Sequence, residues 1–108
     1  MGKLVRDKIP DIIRASGRRP HVTTLTEGSY RRALYDKLHE EVDELIAATA
    51  TDALIEEAAD VLEVVAAIAA ERHVGFSDIV DAARQKRAEK GGFGMRLWLD
   101  GVEPNPEG

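Results

Sequence analysis

The sequence predicts an all-α domain, an antiparallel helical bundle that ends in a short extended segment and assembles with further copies of itself. Two apolar stripes at helical spacing carry this reading. Leu34, Leu38, Leu45 and Ala48 share one face of a helix drawn from Ser29 to about Ala48, and Leu54, Ala58, Val61, Val65 and Ile68 share one face of a second from about Asp52 to Arg72. A third observation is negative. Only Phe93 to Leu99 alternates like a strand, and one short strand has little stability alone.

The remaining elements follow from start and stop signals. A short helix is expected from Asp7 to Ala15, with Pro10 tolerated in its first turn and Gly17 as its C-cap residue. A polar loop from Arg18 to Gly28 leads to the first long helix, and Thr49 to Thr51 form the turn between the long pair. His73-Val74-Gly75 closes the second long helix, and Ser77 is expected to N-cap another that runs to Lys90 and stops at Gly91-Gly92. The segment Phe93 to Leu99 is expected to pack on the bundle or on a partner, with Phe93 and Trp98 as anchors. The tail from Gly101 to Gly108, with Pro104 and Pro106, reads as irregular.

Composition sets the scale. The chain has 108 residues, 44% hydrophobic and 32% charged, with no cysteine, so a single domain spanning 1–108 must be held by packing alone. A chain of this size buries only about two thirds of the surface exposed when unfolded, so a homodimer or homotetramer would help complete the core. Lys3, Arg6, Asp7 and Lys8 interrupt any apolar leader, and no run approaches membrane-spanning length. A cytoplasmic protein with no membrane partner is the expectation.

Charge is partitioned along the chain. Residues 1–35 carry eight basic and three acidic groups, 36–81 carry two basic and thirteen acidic, and the balance turns basic again from 82 to 100. Basic ends around an acidic centre suit a metal-bound polyphosphate. Nucleic acid is a poor fit, because the acidic middle and only five aromatic residues supply neither a basic face nor a stacking platform.

Within the acidic middle, Glu40-Glu41-Val42-Asp43-Glu44 is followed after twelve residues by Glu57-Ala58-Ala59-Asp60. Glu41 with Glu44, and Glu57 with Asp60, are i,i+3 pairs and share helix faces. Glu41 falls inside the apolar stripe, where an unpaired charge would cost several kcal/mol, so a cation beside it is the economical arrangement. Glu41, Glu44, Glu57 and Asp60 therefore read as metal ligands. Hard oxygen donors favour Mg²⁺, with Mn²⁺ as a substitute, over Zn²⁺. Asp43, Glu56 and Glu63 read as a solvated face.

The EExxE and ExxD pattern at Glu40, Glu41, Glu44, Glu57 and Asp60, with Lys3-Leu4-Val5-Arg6-Asp7-Lys8-Ile9-Pro10 before it and Lys90-Gly91-Gly92-Phe93 after it, resembles a known family. That family is the MazG-like and phosphoribosyl-ATP pyrophosphohydrolase-like branch of the all-α nucleoside triphosphate pyrophosphatases. The resemblance implies a dimeric or tetrameric helical bundle that uses Mg²⁺ to cleave a nucleotide between its α and β phosphates, giving a monophosphate and pyrophosphate. It implies metal ligation by Glu41, Glu44, Glu57 and Asp60, and gives Glu40 or Glu41 the task of orienting or deprotonating the attacking water. Glu40 lies about 100° around the helix from Glu41, placed to hold a lysine or a water.

Lys86 and Lys90, i,i+4 on the last helix, are candidates for the β and γ phosphates together with Arg6, Lys8 and Arg96. Lys37, one turn before Glu41, reads as an intrahelical partner. His39 stands next to the acidic motif; His21 and His73 carry little signal. Tyr30 and Tyr35 read as packing residues that could also stack on a base.

The expected activity is thus nucleoside triphosphate pyrophosphohydrolysis, with house-cleaning of non-standard or surplus nucleotides implied by the resemblance alone. Two alternatives stand beside it: the phosphoribosyl-ATP step of histidine biosynthesis, and a catalytically silent helical dimerisation or regulatory module. Intact acids argue against the last.

Overall fold

Among the described residues four helices form, the two long ones where the apolar periodicity placed them. The computed structural model describes residues 2–106, and among these there is no strand. In order they are α1 (Ile9–Ala15), α2 (Glu27–Ala47), α3 (Thr51–Glu71) and α4 (Phe76–Lys90). The chain divides into two units, the first reaching Phe76 and the second starting at Ser77.

Local chemistry sets the ends. Pro10 occupies the first turn of α1, where its missing N–H is no loss, so the helix opens at Ile9 and not at Asp7. It closes in a Schellman arrangement: Gly17 takes φ +87°, its N–H donates to the Arg14 carbonyl at 3.0 Å, and the Arg18 N–H donates to the Ile13 carbonyl at 3.3 Å. Thr26 caps α2 by accepting the Ser29 N–H at 3.3 Å, which starts that helix two residues before Ser29. The end of α3 repeats the Schellman pattern with a histidine in the glycine position. His73 has φ 60°, its N–H donates to Ala70 at 3.0 Å, and the Val74 N–H donates to Ala69 at 2.8 Å.

The long helices α2 and α3 pack on each other across a three-residue connection, Ala48 to Ala50. The start of α2 meets the end of α3. Arg31, early in α2, donates twice to Glu71 Oε1, at 2.7 and 3.1 Å, and Arg72, just past α3, donates to the Tyr35 hydroxyl. Among the described residues Leu34, Val64 and Ala69 are the buried hydrophobic ones, and no side chain is fully buried. The single chain therefore encloses a thin core. Ile46, Leu54, Ile55 and Leu62 remain exposed on the two long helices.

Two expectations need correction in the second unit. Helix α4 begins at Phe76, so Ser77 lies inside its first turn and is not the N-cap. The alternating run after it makes no strand: the Arg96 N–H closes a turn onto the Phe93 carbonyl at 3.1 Å, and Arg96 has φ 58°. That turn interrupts the alternation, and no neighbouring strand offers its backbone a partner. Phe93, Met95, Leu97, Trp98 and Leu99 are all at least 77% exposed, so Phe93 and Trp98 do not act as anchors in the single chain. The tail is irregular to Pro106, and residues 107 and 108 of the predicted tail lie outside the described residues.

Candidate metal centre

Three of the four predicted ligands converge. Carboxylate oxygens of Glu41, Glu44 and Glu57 all lie within 4.8 Å of one another, two from α2 and one from α3. The i,i+3 spacing puts Glu41 and Glu44 on one face of α2, and the packing of α3 brings Glu57 opposite them. Burial is graded, with Glu41 5% exposed, Glu57 half-buried and Glu44 open to solvent.

The electrostatics are those of an under-neutralised site. Oε2 of Glu41 and Oε2 of Glu57 are buried without a hydrogen-bond partner, a costly condition for charged oxygen. Burial pushes the Glu41 carboxyl above its usual range and the neighbouring Glu44 carboxyl adds to the rise, while Lys37 opposes both. Lys37 reaches Glu41 Oε1 at 3.3 Å and Glu40 Oε2 at 3.6 Å, as the predicted intrahelical partner. Partial burial pulls the Lys37 ammonium down, but these two carboxylates outweigh it and leave it above the ordinary lysine value. One ammonium thus faces a cluster of three carboxylates. Oxygen-only donors, crowded together and short of positive charge, fit a hard divalent cation.

Asp60 stands apart from that group. Its Oδ1 accepts from Arg6 Nη2 at 2.6 Å, so the fourth predicted ligand and one predicted phosphate contact hold each other. Glu40 is exposed and forms an ion pair with Lys37 at 3.6 Å. Lys8 sits at the start of α1 and, like Arg6, borders a cavity that also reaches Glu41. Lys86 and Lys90 are exposed on α4, and Arg96 is exposed in the turn that follows, all within the second unit. His39 is exposed next to Glu40. The sequence did not reveal the Arg6–Asp60 pair, since its members are 54 residues apart and neither motif points to the other.

A family model described as phosphoribosyl-ATP pyrophosphohydrolase matches residues 11–87, which include all five acids of the pattern. The chain belongs to that family, within the all-α pyrophosphatases that the acidic pattern resembles. A protein of Mycolicibacterium smegmatis, described only as uncharacterized, is 55% identical over 56 residues, covering 52% of this chain. The matched stretch spans 57% of that relative's length. No solved structure matches the chain.

Proposed function

We propose that the protein is a Mg²⁺-dependent nucleoside triphosphate pyrophosphohydrolase that gives a nucleoside monophosphate and pyrophosphate. The observation that carries this is the convergence of Glu41, Glu44 and Glu57, with two buried oxygens lacking partners, in a member of a pyrophosphohydrolase family. Glu41, Glu44 and Glu57 would hold the cation, and Asp60 would join them once released from Arg6. A bound Mg²⁺ supplies charge neutralisation at the phosphate oxygens and lowers the pKa of a coordinated water.

The residues divide the remaining work. Glu40 or Glu41 orients the attacking water and takes its proton. The new bond joins the water oxygen to the α-phosphorus, the bridge to the β-phosphate breaks, and pyrophosphate departs with the electron pair of that bridge. Arg6, freed from Asp60, and Lys8 are proposed to meet the β and γ phosphates. Guanidinium and ammonium groups are suited to that charge.

A second substrate reading is favoured by the family itself, which takes its name from phosphoribosyl-ATP. House-cleaning of non-standard nucleotides remains the primary reading because Lys3 to Pro10, outside the matched span of 11–87, resembles the small house-cleaning type. The protein is further proposed to work as a homodimer or homotetramer in the cytoplasm. The thin core and the exposed Ile55 and Leu62, seven residues apart on one face of α3, support self-association. No described helix is long and apolar enough to cross a membrane.

The test is release of pyrophosphate and monophosphate from ordinary and modified nucleoside triphosphates and from phosphoribosyl-ATP, with Mg²⁺ and then with chelator. Chelator-sensitive release from triphosphates supports the proposal, and release from phosphoribosyl-ATP alone supports the second reading. No release from a folded preparation contradicts both.

A further inference from the structure

We infer that the cavity between the amino-terminal arm and the α2–α3 pair holds the nucleoside part of the substrate, its base and pentose. This deepens the pyrophosphohydrolase reading and rests on it. Residues 4–8 precede α1 without helical structure and are pinned at Arg6, whose Nη2 donates to Asp60 Oδ1 at 2.6 Å and whose carbonyl accepts the Ile9 N–H at 3.0 Å. Beneath them lies a cavity of about 510 Å³, within the range of small-molecule sites.

Two features of its lining point to a nucleotide. First, Glu41 belongs both to this wall and to the acidic trio, and it is 5% exposed with Oε2 unpartnered. A ligand whose phosphates lie at the trio therefore meets the cavity directly. Second, the remaining wall is of two kinds: Arg6, Asp7, Lys8, Lys37, Asp60 and Glu63 are charged, and the rest is aliphatic or aromatic. Val5 and Ile9 come from the arm and α1, Tyr30 and Leu34 from α2, and Val64 and Ala67 from α3. A planar heteroaromatic base gains stacking from a tyrosine ring and desolvation from aliphatic neighbours, whereas a bare polyphosphate gains nothing from either.

A second cavity, about 760 Å³, lies along the arm from Gly2 to Pro10 and reaches Glu40, but none of the trio borders it. It lacks the continuity with the acidic centre that orders a nucleotide's two ends. The arm is thus a wall of the substrate site as well as a source of cations. Lys3 to Pro10 would contribute to which nucleoside is accepted.

The test uses the full chain and two cavity-filling variants, Ala67→Leu from α3 and Val5→Trp from the arm. The second keeps the question answerable should the first not fold. Adenosine, guanosine, cytidine and uridine monophosphates are titrated by calorimetry, Mn²⁺ is titrated by electron paramagnetic resonance, and KM is measured for the best triphosphate. Each folded variant is expected to lose about tenfold in monophosphate affinity and to raise KM similarly, with Mn²⁺ affinity held within about twofold. Unchanged monophosphate affinity and KM in both variants would overturn the inference. So would a change in oligomeric mass with nucleotide affinity unaltered, which would give the cavity to a second copy. Failure of the wild-type protein to bind Mn²⁺ or release pyrophosphate removes the activity reading instead, and monophosphate binding then reports on the cavity independently.

Discussion

The two ends of the acidic face are neutralised in opposite ways. At one end Glu41, Glu44 and Glu57 crowd together with a single ammonium, Lys37, and two of their buried oxygens have no partner. At the other end Asp60, one turn along α3 from Glu57, is matched by the guanidinium of Arg6 in a pair open to solvent. The difference teaches which carboxylates are arranged for a cation that the chain does not itself provide. The trio is short of charge, whereas Asp60 is already balanced by Arg6.

The largest effect is expected from breaking the trio. Glu44→Gln should reduce pyrophosphate release by about three orders of magnitude while the protein stays folded, because an anionic ligand is lost but a solvent-exposed shape is kept. Circular dichroism beside the activity assay separates the two. Leu34→Ala, the most buried hydrophobic position among the described residues, should instead lower stability by about 3 kcal/mol. Denaturant midpoints report it.

Adding metal sharpens the comparison from the other side. Mg²⁺ or Mn²⁺ at about a hundred times its Kd should stabilise the wild-type protein by about 2.7 kcal/mol, a gain that Glu44→Gln forfeits in large part. Thermal melts with and without chelator measure it. Arg6→Met should change stability by less than about 1 kcal/mol, since both partners of that pair are more than a third exposed and water screens them. The same substitution should raise KM more than it lowers stability. Smallest of all, Trp98→Ala should alter monomer stability by no more than about 0.5 kcal/mol, because that side chain is 86% exposed.

The long helices were legible because apolar spacing acts over a few residues, as in the Leu34 stripe. Gly17 marked the end of α1 at the same range, whereas the Thr26 cap was missed and the start of α2 was placed two residues late. The trio was legible for a related reason, as two i,i+3 pairs on helices joined by a short turn have little freedom in how they meet. The Arg6–Asp60 pair was not, being decided by how an irregular arm lies on α3. Phe93 to Leu99 misled for the converse reason: period-two alternation indicates a strand only where a second strand or a packed face rewards it, and a turn at Phe93–Arg96 forms instead. Glu40 and Glu41 are neighbours in sequence with different surroundings, one exposed and one buried, a distinction the motif foretold only through the stripe.

The most direct test of the central claim is a Mn²⁺ titration followed by electron paramagnetic resonance on the wild-type protein and Glu44→Gln. The trio predicts saturable binding to the wild type and at least about tenfold weaker binding to the variant. Equal affinity in the two, or none in either, would contradict the assignment of Glu41, Glu44 and Glu57 as the metal centre.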